Sequence, residues 1–218
     1  MRAIVFDLDG TLIDSAPDMQ AAVNRMLAGE GLAPLDRSTV ISFVGNGLPK
    51  LVERVMALRG IDSVRHGDLT QVTLDHYEAA STDLTQPYPN MVETLEHLQA
   101  EAVLMGLCTN KPEAPARKIL QDMGLARFFG AVLGGDSLPV KKPDPEPLWA
   151  VFRALGVESG LYVGDSEVDA ATAEAAGVPF ALFTLGYRKT PIENVPHDHA
   201  FDDFAALPEI AARVMAQV

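Results

Sequence analysis

The chain has 218 residues, 48% of them hydrophobic, and its 17 Lys and Arg against 30 Asp and Glu give a formal net charge of -13. This length suits one full domain, or a domain with an insertion, built around a packed core. An acidic chain without a basic run is a poor partner for nucleic acid or for an anionic membrane surface. No apolar run approaches the roughly 18 residues of a membrane span.

Two features bear on the expected compartment. Asp7 and Asp9 interrupt the apolar N-terminal stretch, which a secretory signal peptide would keep free of charge. Cys108 is the single cysteine, so an intrachain disulfide cannot form. Both features favour a reducing cytoplasm as the location.

The first predicted element is a buried strand at residues 4–6, which leads into Asp7 and Asp9. Side chains two positions apart on an extended chain share a face, so the two carboxylates are expected to point into one region. Mg²⁺ relieves the repulsion between clustered carboxylates. A solvated turn is the alternative interpretation. A calcium loop is excluded, because Thr11 and Leu12 occupy the positions of its third acid and its glycine.

A long helical segment is predicted after this strand. Apolar residues at helical spacing indicate helices near residues 16–28, 36–43, 48–56 and 68–80. The stiff stretch at residues 86–89 ends the segment as an extended linker. Residues 15–86 are therefore expected to form an all-helical insertion, with its Leu and Met stripes in the core.

From residue 90 onward, predicted helices and strands alternate. The helices fall at residues 92–98, 113–123, 147–155, 169–176 and 205–216, and the strands at 103–108, 128–133, 161–163 and 180–183. This alternation predicts a parallel sheet with helices on both faces. The expected architecture is α/β: a doubly wound, Rossmann-like core of residues 1–14 and 87–218, with a helical cap of residues 15–86 inserted after the first strand.

Reactive side chains follow four predicted strands or the turns after them. They are Asp7 with Asp9, Thr109 with Asn110, Lys142, and Asp165 with Asp169. Each alone has a structural alternative as a turn former, a surface lysine or a helix cap. Ligands of open parallel sheets bind at the carboxyl ends of the strands, so the shared placement predicts one site.

These segments, in this order, resemble the motifs of the haloacid dehalogenase superfamily of phosphohydrolases. The helical insertion is similar to the cap that this family carries after its first strand. Residues 7–15, 44–48 and 141–148 are most similar to the phosphoglycolate phosphatases within the superfamily. Asp9 disfavours a chloride-displacing dehalogenase, because those members lack this second carboxylate.

The resemblance implies Mg²⁺-dependent hydrolysis of a phosphomonoester through an aspartyl phosphate, with 2-phosphoglycolate as the expected substrate. Asp7 is the implied nucleophile, and Asp9 is the implied general acid and base. Lys142 is the implied cation beside the phosphoryl group; it is preferred over Lys141 because the family's lysine directly precedes its proline.

The resemblance also implies binding roles. The implied metal ligands are Asp7, the backbone carbonyl of Asp9, Asp165, and Asp169 directly or through water. Helix-dipole stabilisation is the alternative explanation for Asp169. The residues expected to bind the phosphoryl oxygens are Thr109, Asn110, Gly10 and Thr11.

The expected cap loop is assigned to substrate selection. Gly45, Asn46 and Gly47 offer backbone N–H groups and an amide to a small carboxylate. The nearby cations are Arg25, Lys50 and Arg54, for which a solvated helix face is the favoured interpretation. Sugar phosphate mutases of the superfamily carry a phosphate-binding arginine in this loop, whereas this chain does not, which disfavours a mutase.

Several alternatives stay open from the sequence. Other small phosphates, such as pyrophosphate, a nucleotide monophosphate or a sugar phosphate, are possible substrates, and a receiver-like module phosphorylated on aspartate is a different class. Such a module has no use for a helical cap. The histidines lack a second ligand at metal spacing, and Cys108 and Trp149 are interpreted as core packing. The expected partner is a small phosphorylated substrate, with no prediction of oligomeric state.

Overall fold

The structure is a computed structural model that describes residues 2–45 and 47–215. The chain divides into two compact units. Met1–Asp14 with Pro87–Val218 form one of them, called here the α/β unit, and Ser15–Gln86 form the other, called the helical unit.

Six strands of the α/β unit form one parallel sheet. The strands among the described residues are β1 Ala3–Phe6, β2 Ile13–Asp14, β3 Gln86–Pro87, β4 Leu104–Cys108, β5 Ala131–Leu133, β6 Leu161–Gly164, β7 Phe180–Phe183 and β8 His199–Phe201. The sheet order is β5-β4-β1-β6-β7-β8, and β2 pairs separately with β3. After β1, the chain adds β4 and β5 on one side of β1. It then adds β6, β7 and β8 on the other side. The direction of winding therefore reverses beside β1, where open parallel sheets bind ligands.

Helices cover both faces of this sheet. They are α5 Met91–Ala100, α6 Glu113–Asp122, α7 Glu146–Ala154, α8 Glu167–Ala176 and α9 Leu207–Met215. Alternate residues of β1 enter different cores: Ile4 and Phe6 pack with residues of α5, α6 and α9, whereas Ala3 and Val5 pack with residues of α7 and α8. This alternation follows from the two-residue period of a strand. The predicted doubly wound α/β architecture is confirmed.

The helical unit contains α1 Ala16–Gly29, α2 Arg37–Phe43, α3 Leu48–Arg59 and α4 His66–Glu78. α4 packs against both α1 and α3. Their buried stripes include Met19, Val23, Met26, Leu51, Val55 and Met56. The buried Asp18 accepts hydrogen bonds from the backbone N–H groups of Leu84 and Thr85, which fixes the end of the unit on α1. Within the described ranges, no helix is long and apolar enough to cross a membrane.

Three sequence predictions about the fold need correction. β5 begins at Ala131 instead of residue 128, because Ala126–Phe128 forms a 3-10 turn. His199–Phe201, which lies outside the predicted strands, forms the edge strand β8. Trp149 is 37% exposed, so it is not a core residue; its indole N–H donates to the carbonyl of Ala176 at 3.2 Å and links α7 to the end of α8.

Candidate active site

Asp7 lies at the carboxyl end of the central strand. Its N–H donates to the carbonyl of Val163 on β6 at 2.9 Å, so the strand pairing continues through Asp7. The chain then turns at Gly10, which has a φ of 86°. A Cβ on Gly10 would lie 2.5 Å from Asp165 Oδ2, so both the backbone conformation and the close approach require glycine.

Asp165 follows β6 and is 1% exposed. Its Oδ1 accepts a hydrogen bond from the Thr11 hydroxyl at 2.8 Å, and its Oδ2 accepts one from the backbone N–H of Tyr187 at 2.6 Å. An ionised carboxylate has about four lone-pair sites. Lone pairs of Asp165 therefore remain for a further ligand.

Asp169 lies in the first turn of α8 and is fully buried. Its Oδ2 accepts from the N–H and the hydroxyl of Ser166 at 3.1 and 2.6 Å, which completes a capping box. Its Oδ1 accepts from Lys142 Nζ and from the Tyr162 hydroxyl, both at 2.7 Å. These four contacts use about all the lone pairs of the carboxylate.

Lys142 enters the site from the loop before α7 and is 3% exposed. Its Nζ lies 3.0 Å from Asp7 Oδ1 and 2.9 Å from the Tyr162 hydroxyl oxygen. The side-chain amide of Asn110 donates to the Lys142 carbonyl at 3.0 Å and so holds the loop. Lys141, the competing lysine, is exposed.

The carboxylates of Asp7, Asp165 and Asp169 suit a hard divalent cation. One oxygen from each lies within 4.8 Å of the others. Asp7 Oδ1 is buried without a hydrogen bond; the nearby Lys142 ammonium is an ion-pair partner only. Carboxylate oxygens are the donors that Mg²⁺ prefers. Asp7 and Asp165 fit such an ion directly, whereas Asp169 would have to give up an existing hydrogen bond.

Burial and mutual repulsion govern the protonation equilibria of the three aspartates. Burial raises the pKa of Asp7 to about 6, although Lys142 opposes this shift, and Asp169 and Asp9 add to it. Burial, together with Asp169 and Asp7, raises the pKa of Asp165 well above its ordinary value. The pKa of Asp169 is held below its ordinary value: burial opposes this, but Lys142 and its hydrogen-bond donors outweigh burial. A bound cation would relieve the cost of ionising Asp7 and Asp165.

Asp9 is paired with Lys111, a residue that the sequence interpretation did not assign to the site. Lys111 Nζ lies 2.9 and 2.8 Å from the two carboxylate oxygens of Asp9. The signal was present, because Lys111 directly follows Thr109 and Asn110 at the end of β4.

The residues predicted to bind phosphate have different surroundings. Thr109 lies at the end of β4, 4% exposed, and Asn110 Oδ1 is buried without a hydrogen bond. The N–H groups of Gly10 and Thr11 already donate to backbone carbonyls at 2.8 and 3.3 Å, and the Thr11 hydroxyl binds Asp165. Both residues shape the surroundings of Asp165, and their phosphate contacts stay predictions. The phosphate contacts of Thr109 and Asn110 stay predictions.

The predicted specificity residues belong to the helical unit. Gly45 and Gly47 lie between α2 and α3 with φ values of 130° and 86°, and Asn46 lies outside the described residues. Lys50 pairs with Glu53, and Arg54 donates to the Phe43 carbonyl. Arg25 is exposed. The assignment of this loop to substrate selection stays a prediction.

Two tyrosines of the site had no role assigned from the sequence. The Tyr162 hydroxyl bridges Lys142 and Asp169, and the Tyr187 hydroxyl donates to Asp14 at 2.8 Å. A tyrosine in an otherwise apolar strand was the available signal for Tyr162, because a buried phenol needs a hydrogen-bond partner. Cys108, by contrast, is no nucleophile: burial raises the pKa of its thiol to about 12.

Fold and site together define an α/β protein in which aspartates after parallel strands and a buried lysine from a neighbouring loop come together. A model of the haloacid dehalogenase-like hydrolase family matches residues 4–183, and the chain belongs to that family. The family resemblance inferred from the sequence is thereby confirmed.

Named relatives place the chain more closely. It is 51% identical over 218 residues to the phosphoglycolate phosphatase of Cereibacter sphaeroides, an alignment that covers 99% of this chain and 100% of that protein. It is 43% identical over 211 residues to the phosphoglycolate phosphatase of Rhodobacter capsulatus, covering 95% of each. The crystal structure of a predicted phosphoglycolate phosphatase from Haemophilus somnus superposes with a TM-score of 0.90 at 32% identity, covering 96% of this chain and 97% of that one. The chain is accordingly a phosphatase of the haloacid dehalogenase type.

Proposed function

We propose that the chain hydrolyses 2-phosphoglycolate to glycolate and phosphate in a Mg²⁺-dependent reaction through an aspartyl phosphate. The observation that carries this proposal is the environment of Asp7. Its buried Oδ1 has no hydrogen bond, lies 3.0 Å from Lys142 Nζ, and belongs to a carboxylate cluster of metal-binding size. An anionic nucleophile in such a place is suited to attack a phosphoryl group.

In the first step, an Asp7 carboxylate oxygen forms a bond to phosphorus while the bond from phosphorus to the glycolate oxygen breaks. The electron pair of the broken bond goes to that oxygen, and Asp9 supplies the proton that makes it an alcohol. Held by Asp7 and Asp165, Mg²⁺ would supply positive charge against the phosphoryl oxygens.

In the second step, water attacks the phosphorus of the aspartyl phosphate. Asp9, now a carboxylate, accepts the proton of that water, and the bond between phosphorus and Asp7 breaks. The cycle returns Asp7 as a carboxylate and Asp9 as an acid, so that neither residue is consumed.

Lys142 neutralises charge on Asp7 and on the phosphoryl oxygens during both steps. Asp169 and Tyr162 hold its ammonium group at 2.7 and 2.9 Å, which leaves little freedom for the side chain. A preorganised cation of this kind requires no reorganisation during the reaction. We assign Asp169 to this positioning role, since its lone pairs are already used.

The substrate assignment rests on the relatives named above, which share up to 51% identity over the full chain. We propose that the helical unit acts as the cap that selects glycolate, through the backbone N–H groups of residues 45–47. Small phosphates differ chiefly in the group attached to phosphorus, so selection requires contacts to that group.

A comparison of substrates tests the proposal. Phosphate release is measured with and without Mg²⁺ from 2-phosphoglycolate, sugar phosphates, nucleotide monophosphates and pyrophosphate, with Asp7→Asn as the control. We expect kcat/KM for 2-phosphoglycolate to lead by about a hundredfold, which corresponds to about 3 kcal/mol of transition-state binding. Equal rates across the panel would remove the substrate assignment and leave the phosphatase chemistry in place.

A further inference from the structure

Lys111 forms an ion pair with Asp9, and the mechanism proposed above gives Lys111 no role. The ammonium nitrogen lies 2.9 Å from one carboxylate oxygen of Asp9 and 2.8 Å from the other, so it contacts both oxygens almost equally. The Lys111 side chain is 9% exposed and that of Asp9 is 16% exposed. A forked contact away from bulk water restricts rotation of the carboxylate more than a single exposed contact would.

The backbone around Lys111 is fixed as well. Its carbonyl accepts the N–H of Gly135 at 2.8 Å, and its own N–H donates to the Thr109 hydroxyl at 3.3 Å. Lys111 follows β4 and Asp9 follows β1, and these strands are hydrogen-bonded neighbours. The ion pair therefore joins two rigid strand ends, a placement that favours precise geometry.

The two lysines of the site serve different aspartates. Lys142 contacts Asp7 and Asp169, whereas Lys111 contacts Asp9. One cation thus lies beside the proposed nucleophile and the other beside the proposed acid. This division is the reason to assign Lys111 a function in the leaving-group half of the reaction.

We infer that Lys111 is a positioning residue that fixes the carboxyl group of Asp9 for proton transfer to the leaving oxygen. This inference rests on the proposed role of Asp9. As the bond between phosphorus and oxygen breaks, its electron pair goes to the leaving oxygen and the proton passes from Asp9 to that oxygen. The resulting Asp9 carboxylate faces the Lys111 ammonium, which keeps its own protons throughout.

A loss of Asp9 positioning can be recognised by how strongly the rate depends on the leaving group of the substrate. Phenyl phosphate and p-nitrophenyl phosphate have similar shapes, but p-nitrophenolate is a much weaker base and departs without a proton. Loss of general acid catalysis slows a basic leaving group far more than a weakly basic one. The ratio of the two kcat/KM values reports only the steps up to departure of the alcohol, because hydrolysis of the shared aspartyl phosphate does not enter kcat/KM. In one preparation this ratio is also independent of the fraction of enzyme that is folded.

The experiment measures this ratio, p-nitrophenyl over phenyl, for the wild type, Lys111→Met, Lys111→Gln and Lys111→Arg. Lys118→Met is the matched control, because Lys118 pairs with Asp122 on an exposed helix face. We expect the ratio to rise at least about tenfold in Lys111→Met and Lys111→Gln, since a positioned general acid contributes about 10²-fold or more. Lys111→Arg should return most of the way to the wild-type ratio, and Lys118→Met should match the wild type.

Asp9→Asn separates failure of this inference from failure of the proposed function. If its ratio rises but both neutral Lys111 variants keep the wild-type ratio, Lys111 does not position Asp9 and the inference is overturned. If the Asp9→Asn ratio does not rise either, the acid role of Asp9 is wrong and the inference falls with it. Hydrolysis of both esters by the wild type tests the phosphatase activity independently of either result.

Discussion

At the scale of single residues, the hydrogen bonds already made by a carboxylate distinguish its role. Asp165 and Asp169 belong to one acidic cluster, yet Asp169 accepts four hydrogen bonds and Asp165 accepts two from their described partners. A carboxylate with unused lone pairs can bind a metal without breaking existing contacts. Asp165 is therefore the expected ligand and Asp169 the residue that holds Lys142.

Substitution of these two aspartates gives a direct comparison. Asp165→Asn should abolish the rise in Tm that Mg²⁺ produces in the wild type, because a direct ligand is lost. Asp169→Asn should keep most of that rise while kcat falls about 10-fold or more through the loss of Lys142 positioning. Thermal unfolding over a Mg²⁺ titration measures both. Equal loss of the Mg²⁺ effect in the two variants would contradict the assignment.

The raised pKa of Asp7 predicts a pH dependence of stability in the metal-free protein. The folded pKa is about 6 and the ordinary value is 3.8, so between these pH values the folded state keeps a proton that the unfolded state has lost. Stability from this group is therefore present below about pH 4 and is lost as pH rises to about 6.

Asp7→Asn isolates this effect, because the amide has no proton to lose. Relative to the wild type, the variant should gain stability as pH rises from about 3 to about 7, by at most about 3 kcal/mol. Urea unfolding in the presence of a chelator measures the difference at each pH. A difference that does not change with pH would show that the folded site does not raise the Asp7 pKa.

At the scale of elements, the turn after β1 depends on Gly10. A side chain there meets two obstacles: the left-handed φ of 86° and the nearby Asp165 carboxylate. Gly177, which ends α8 with a φ of 67°, has open space around its missing Cβ. A side chain at position 177 therefore introduces backbone strain alone, whereas a side chain at position 10 introduces both strain and steric overlap.

Gly177→Ala should destabilise the protein by about 1 kcal/mol, which is the cost of a left-handed alanine. Gly10→Ala should cost about 1–3 kcal/mol more, because its Cβ overlaps the buried Asp165. It should also lower kcat by displacing that carboxylate, whereas Gly177→Ala should not. Urea unfolding measures the stability of the two variants, and phosphate release measures their kcat. Equal stability losses would mean that the turn after β1 accommodates a side chain freely.

Local sequence signals predicted most of the elements but not all of them. Continuous apolar runs form β1, β4, β6 and β7, and such runs are the pattern of strands buried on both faces. β8 was not predicted because it has only three residues at the edge of the sheet, between polar neighbours. β5 was placed too early because Phe128 and Phe129 resemble strand residues, although local hydrogen bonding forms a 3-10 turn there.

The same limit explains which site residues were predicted. Asp7, Asp9 and Asp165 follow strands in recognisable local patterns, so their convergence followed from the parallel sheet. Lys142 lies in the loop before α7 and was recognised from the proline that follows it. Tyr162 and Tyr187 act through contacts with residues distant in sequence. The position of Lys111 after β4 indicated a place near the site, but its partner Asp9 is 102 positions away, and no local pattern reports that pairing.

At the scale of the whole molecule, the strand order explains why the site exists. β1 lies between β4 and β6, so the loops after these three strands open at the same edge of the sheet. The acidic residues and both lysines reach this edge from segments that are remote in the chain. The net charge of -13 is unfavourable for an anionic substrate, so the local cations have to provide the attraction.

The central claim is that Asp7 carries the phosphoryl group during turnover. The measurement is an acid quench during turnover, reduction with borohydride, and tandem mass spectrometry, since borohydride converts an aspartyl phosphate into homoserine. We predict homoserine at position 7 only in samples that contained substrate and Mg²⁺, and none in Asp7→Asn. Homoserine at another aspartate, or continued hydrolysis by Asp7→Asn at the wild-type rate, would contradict the account.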